Sequence, residues 1–171
     1  MRKLTIIVGL LAAFLWAAWT LSPFKPVRAD GPRQATGIGK LVAGTYLLGP
    51  FPELGTFTAD GSYVLTHVAS FGDHPAAAFQ SPEHGAWRQS GPRQVTSRSL
   101  SFAFDDEGTH FATSRFDIVW DFDDATFQSG TLTLLSTDIF SADQDPLDPD
   151  EEPFLSFPGG DTADFKRIAV P

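Results

Sequence analysis

Arg93 to Phe122 reads RQVTSRSLSFAFDDEGTHFATSRFDIVWDF. Two alternating runs flank the turn Asp105-Asp106-Glu107-Gly108. The first, Arg93 to Phe104, sets Leu100, Phe102 and Phe104 on one face. The second, Thr109 to Phe122, sets Phe116, Ile118, Trp120 and Phe122 on one face and Arg115, Asp117 and Asp121 on the other. A period of two marks a half-buried strand, and so short a turn makes the pair an antiparallel hairpin with one dry and one wet face.

The same pattern extends in both directions. Toward the C-terminus, Asp123-Asp124-Ala125 turns into a run from Phe127 to Phe140, and a long acidic segment leads to a last run, Ala163 to Val170. Toward the N-terminus lie His84 to Gln89, Ser62 to Ser70, Leu54 to Thr58 and Lys40 to Leu48. Between these runs stand Ser90-Gly91-Pro92, a Gly/Pro-bearing loop from Phe71 to Pro82, the hairpin signal Asp60-Gly61, and Gly49-Pro50-Phe51-Pro52. Beyond the N-terminal segment no stretch keeps a helical period. Eight runs joined mostly by short turns predict an all-β, antiparallel, up-and-down eight-stranded barrel, since closure removes the exposed strand edges. A two-sheet sandwich is the rival, but no long crossover connection interrupts the meander before residue 141. The interior of so small a barrel is either filled by side chains or holds one small ligand.

Residues 1–29 read as a signal peptide. Arg2 and Lys3 precede the uncharged run Leu4 to Leu21, and Val27 and Ala29 supply the small residues of a cleavage site before Asp30. The apolar run is 18 residues, close to the roughly 20 needed for a span, so an uncleaved leader would tether the protein to a membrane. Pro23 and Pro26 favour release. Residues 30–39 are expected to form a flexible tail, and residues 40–171 a single domain. Cleavage removes four basic residues and no acid, lowering the formal charge of −9 by a further four units, to −13. Such acidity argues against nucleic acid or an anionic membrane as partner. The chain has no cysteine, which excludes thiol catalysis and thiolate zinc. The expected location is the periplasm or the exterior.

Gly44-Thr45-Tyr46 in the first run resembles the Gly-x-Trp signature of lipocalins, with Tyr at the Trp position. The resemblance implies a calycin-type barrel in which Lys166-Arg167 of the last run supplies a cation over that aromatic ring. Ser81-Pro82-Glu83-His84-Gly85-Ala86-Trp87, Gly91 and Phe102-Ala103-Phe104-Asp105 are similar to exported bacterial barrels of no assigned activity. Similar barrels also include allene oxide cyclase-like enzymes, so the architecture implied permits either binding or catalysis.

Three functions follow from these residues. A ligand-binding barrel would hold a small hydrophobic molecule among Tyr63, His67, Trp87, Phe102 and Trp120, apolar groups with a few polar ones. A barrel cyclase or isomerase would move protons with Glu83, His84 or Asp117, while Arg115 orients an anionic substrate. A filled barrel would be an interaction module. Arg115 and Asp117 are expected on the outer wall, opposite the apolar face of their strand, unless a partner covers that wall. His67, His74, His84 and His110 fall at no metal-ligand spacing, so no metal is expected, and without a phosphate-cradling loop or dinucleotide fingerprint no cofactor is expected either. The acidic segment Asp143 to Glu152 suits calcium in composition but lacks the EF-hand spacing, and reads as a solvated loop. Oligomeric state is left open. The leader makes one direct prediction: intact mass and N-terminal sequencing of protein recovered from its source will find a chain beginning at Asp30. A chain retaining Met1 would mean a tether.

Overall fold

The computed structural model describes residues 37–49, 53–66 and 79–169, which belong to one unit spanning Arg33–Pro171. The leader, most of the 30–39 tail, His67 and His74 lie outside the described residues. Ten strands and one short helix follow in the order α1 (Gly37–Val42), β1 (Gly44–Leu48), β2 (Glu53–Phe57), β3 (Ser62–Thr66), β4 (Phe79–Gln80), β5 (Glu83–Gly91), β6 (Gln94–Phe104), β7 (His110–Phe122), β8 (Ser129–Ser141), β9 (Leu155–Pro158) and β10 (Thr162–Arg167). All pairings are antiparallel. The main strands pair with their sequence neighbours, and β10 pairs with both β8 and β1, which closes an eight-stranded barrel. The two short strands lie toward one end of it, β4 beside β6 and β9 beside the last part of β8.

The tail differs from expectation at its end. Gly37 to Val42 is helical, because Ile38 and Val42, four residues apart, cap the barrel with one apolar face. The first strand therefore begins at Gly44, not Lys40. Nearly all the other predicted runs agree with the observed strands to within two residues at each described end.

The end beneath α1 is packed solid. Tyr46, Phe57, Tyr63, Trp120, Phe122, Phe127 and Phe165 are all buried and meet mostly edge to face, with ring centroids 4.8–5.8 Å apart. Phe127 takes a left-handed backbone (φ 55°), a strain of about 1 kcal/mol or more that the burial of its ring offsets. Strands this tightly coiled need glycine where they cross. A Cβ on Gly85 or Gly130 would stand 2.0 Å from the carbonyl oxygen of Arg98 or Asp121.

Tyr46 ties the closing strands together. Its hydroxyl donates to the carbonyl oxygens of Val42 at 2.8 Å and Phe127 at 3.2 Å. The Arg167 guanidinium lies 5.9 Å from the Tyr46 ring centre and donates to the carbonyls of Leu41, at 2.9 Å, and Ala43, acceptors left open at the helix C-terminus. Burial pushes the Tyr46 hydroxyl up to about 12 against the opposing pull of Arg167, so it remains a donor. This is the aromatic–cation pair expected between the first and last strands. Replacing Tyr46 by Phe leaves two buried carbonyls without that donor and is expected to cost about 2 kcal/mol. Urea unfolding checks it: the midpoint should fall while the slope holds.

Candidate functional site

The opposite half of the barrel is hollow. Its inner wall carries Leu48, Leu65, Phe116, Ile118, Leu132 and Leu134, which line an open-mouthed cavity of about 660 Å³, within the range of small-molecule sites. Gln80, Glu83, Ser114 and Thr137 are its polar lining, joined by Glu53 from β2 and Asp161 from the β9–β10 connection.

Two local features shape the inner wall. On β6 the inward column is Val95, Ser97, Ser99, Ser101 and Ala103, all buried and mostly small, and none of them is among the residues lining the cavity. Its hydroxyls are satisfied: Ser97 accepts from Trp120 Nε1 at 3.0 Å, Ser99 donates to Glu83 Oε2 at 2.5 Å, and Ser101 donates to the Ser81 carbonyl at 2.6 Å. On β8 the register against β7 shifts between Asp117–Ser136 and Ile118–Leu134, leaving Leu135 as an extra residue. Such a bulge exchanges the two faces of a strand. Beyond it Thr137 and Ile139 face the cavity, and Asp138 turns outward to meet Arg115.

Glu83 is the chemically distinctive group. It is 4 % exposed, on the first residue of β5, opposite Leu65 of β3. Burial pushes its carboxyl up to about 8; the Ser99 hydrogen bond pulls the other way and the charge of Glu53 adds to the rise. Tyr63, wholly buried on β3, feels the charges of both glutamates, and burial foremost holds its hydroxyl well above the ordinary range. That hydroxyl has no hydrogen-bond partner. A carboxyl that titrates near neutrality in an apolar cavity can donate a hydrogen bond at pH 7 and accept a proton just above it.

The structure divides the residues anticipated from sequence. Glu83 lines the cavity. His84, one residue on, is exposed on the outer wall. Asp117 and Arg115 are also on the outer wall, as expected, each in an ion pair. Arg98 grips Asp117 with two bonds of 2.8 and 2.9 Å. Arg115 donates to Asp138 at 2.7 Å and to the Pro146 carbonyl at 2.7 Å, and its guanidinium lies 4.8 Å from the Phe140 ring centre. Burial would raise Asp138, but hydrogen bonds from Ser156 and Arg115, with the charges of Arg115 and Arg98, hold its carboxyl below the usual range. No histidine among the described residues joins Glu83 in the cavity. The set Glu83, His84, Asp117 and Arg115 is thus not one catalytic centre.

The aromatic candidates also separate. Tyr63 and Trp120 belong to the solid end, and Trp87 is half-buried near it, donating to the Thr58 carbonyl at 2.9 Å and packing on Phe57. Phe102 is a correction: it stands 42 % exposed on the outer wall against His110. Hydropathy alone assigns the Leu100, Phe102 and Phe104 face to the interior, whereas the serine face is the inner one. Apolar alternation misleads where the buried face of a strand is small and polar. Glu53 escaped notice for a simpler reason, since it falls one position before the run beginning at Leu54. Its alternation with Gly55 and Phe57 was the available signal.

The acidic segment is built of local turns. Asp145 Oδ1 accepts from the Leu147 amide and Asp148 Oδ1 from the Asp150 amide, while Gln144 donates to Glu151 and to the Glu152 carbonyl. Among the described residues no three His, Asp or Glu side chains are grouped to hold a metal ion.

Comparison with protein-family models, curated proteins and solved structures finds no match. The geometry therefore defines a class by itself: a closed, antiparallel eight-stranded barrel, solid at one end and hollow at the other.

Glu83 predicts a pH dependence of stability. Its folded carboxyl sits above its unfolded value of 4.5, so the folded state holds the extra proton. Its burden is absent below about pH 4.5, grows as pH rises and is complete above about 8. On this account the protein loses on the order of 3 kcal/mol between pH 5 and 8. Glu83→Gln, which keeps size and a partner for Ser99, should flatten that slope and raise stability at pH 8. Equal slopes in wild type and variant would contradict it.

Proposed function

We propose that the protein is an exported barrel that binds an apolar small molecule in the hollow half of its lumen. The observation that carries this is the 660 Å³ cavity, largely apolar and set above an aromatic plug, with one buried carboxyl on its wall. A preformed pocket with few polar groups suits a hydrophobic ligand oriented by one hydrogen bond. The leader and the acidity of the chain fit a soluble carrier outside the cytoplasm. The Tyr46–Arg167 pair supports a lipocalin-like reading of the fold. A filled interaction module sits poorly with this volume.

A second reading has one specific observation behind it. With its carboxyl near 8, Glu83 is tuned for proton transfer to or from a bound molecule, as an isomerase or cyclase requires. In that reading Glu83 acts alone among the residues anticipated from sequence, because His84, Asp117 and Arg115 face away.

Titration with the neutral, environment-sensitive dye Nile red tests the first reading. The full chain should bind it with micromolar affinity. Leu134→Trp, which fills the cavity, should weaken binding at least tenfold, and Leu135→Trp, on the outer wall at 48 % exposure, should leave it unchanged. Equal effects of the two variants, or no binding by wild type, would end the reading.

A further inference from the structure

Burial is graded along the cavity lining. Leu48, Leu65, Gln80, Glu83 and Ile118 are each at most 5 % exposed. Phe116, Leu134 and Ile139 are partly buried, whereas Phe157 is 47 % exposed and Asp161 stands in solvent. The first group marks the floor and the last the mouth. Two polar side chains, Gln80 and Glu83, therefore belong to the floor, and a largely apolar ligand meets them with its inner end. That arrangement favours a molecule that enters with its polar atom first and leaves its apolar body nearer the opening.

Glu83 meets the ligand as a hydrogen-bond donor. Its hydrogen bond among the described residues comes from a neutral group, the Ser99 hydroxyl, at 2.5 Å to Oε2. The ion pairs among those residues, Arg98–Asp117 and Arg115–Asp138, do not include it. A carboxyl so deeply buried with one neutral partner keeps its proton, because ionisation would strand a charge away from water. Ser99 is not itself a lining residue and holds the carboxyl from β6. Since Oε2 accepts from Ser99, the acid proton belongs on Oε1, the oxygen left for a ligand. Among the described titratable groups, Glu53 of β2 adds to the retention of that proton. Tyr63 of β3 is buried in the packed core and stays neutral, and Asp161 lies at the mouth.

We propose that the cavity takes a neutral carbonyl compound held head first: its carbonyl oxygen accepts the Glu83 proton at the floor, and its apolar body lies along Phe116, Leu134 and Ile139 toward the mouth. This rests on the cavity being a ligand site and names the class of ligand it takes. A carbonyl oxygen only accepts, so it satisfies the acid proton without bringing one of its own. An alcohol brings a proton that needs a further acceptor, and a hydrocarbon leaves the acid proton unpaired. The complex is tied to the protonated carboxyl. As pH rises through the ionisation of Glu83 the donor is lost, a carboxylate faces the carbonyl oxygen, and binding weakens.

Displacement of Nile red from the full chain, corrected for the dye's own affinity at each pH, compares 2-nonanone, 5-nonanone and butylbenzene. At pH 6.5 the terminal ketone should bind about threefold or more tighter than its isomer, whose carbonyl reaches the floor only with an alkyl arm beside it. Glu83→Met, close in size but without a donor, should weaken 2-nonanone about tenfold and leave butylbenzene within about twofold. Glu83→Gln keeps a donor that does not titrate, so its 2-nonanone affinity should match wild type at pH 6.5 and hold at pH 9.5. One readout needs no variant and stands even if both fold poorly. In wild type the ratio of 2-nonanone to butylbenzene affinity should fall about tenfold from pH 6.5 to 9.5, as the donor titrates away. An unchanged ratio, equal losses of ketone and hydrocarbon in Glu83→Met, or equal binding of the two ketones would overturn the carbonyl proposal, as would dye binding that no probe displaces. Each of those results leaves the ligand-binding reading standing. Failure of all three probes and of the dye itself would overturn both.

Discussion

The barrel depends on one closure. β1 and β10 come from opposite ends of the domain, and their pairing spans only three residue pairs, Tyr46–Arg167, Leu47–Lys166 and Leu48–Phe165. Bringing such distant segments together carries a chain-entropy cost that so few ladder bonds offset weakly. Tyr46 and Arg167 reinforce the seam at its end. One ring receives the guanidinium on its face, and its hydroxyl reaches both α1 and the β7–β8 turn through Val42 and Phe127. Helix, seam and turn are locked to a single buried side chain, and the aromatic plug assembles around it.

The plug in turn makes a hollow barrel tolerable. Large aromatic rings concentrated at one end supply apolar burial to a chain without disulfides, so the other end can give up packing. The boundary falls on β6 and β7. There Trp120 donates to Ser97 at the edge of the plug, while Ser114 beyond it lines the cavity. Polar groups exposed by the missing side chains are mostly paired, as buried groups must be. The Tyr63 hydroxyl and Arg115 Nε are buried without a partner, whereas the buried Glu83 carboxyl on the cavity wall is held by Ser99.

Charge is sorted across the wall. Outward-facing Arg98, Asp117, Arg115 and Asp138 neutralise one another in pairs, and the segment after β8 covers the second pair through the Pro146 carbonyl and Ser156. Glu53 and Glu83 instead stand on the inner wall, where they line the cavity. A single-residue bulge at Leu135 keeps Asp138 with the outer set and out of the lumen. The cavity owes its electrostatic character to that register as much as to its composition.

The eight strands that close the barrel, their order and their antiparallel topology were legible in the sequence because period-two alternation and turn residues are local signals; the short strands β4 and β9 fall in stretches read as loops. Gly44-Thr45-Tyr46 and Lys166-Arg167 even located the seam. The direction each strand faces was only half legible. It held for Phe116, Ile118 and Trp120, where one face is plainly apolar. It failed at Phe102, where the inner face is serine and hydropathy points the wrong way. The site was legible in one residue, Glu83. Its company of Glu53 and Asp161 on the cavity wall comes from two other segments, and its separation from His84 follows from strand alternation. By itself the sequence determined a barrel, through patterns read over a few residues, while the closing pair was implied by the resemblance of Gly44-Thr45-Tyr46 to the lipocalin signature. Tertiary structure alone decided that half of the barrel is empty and acidic. That depends on the summed volume of side chains from many strands converging on one space, a quantity no local period encodes.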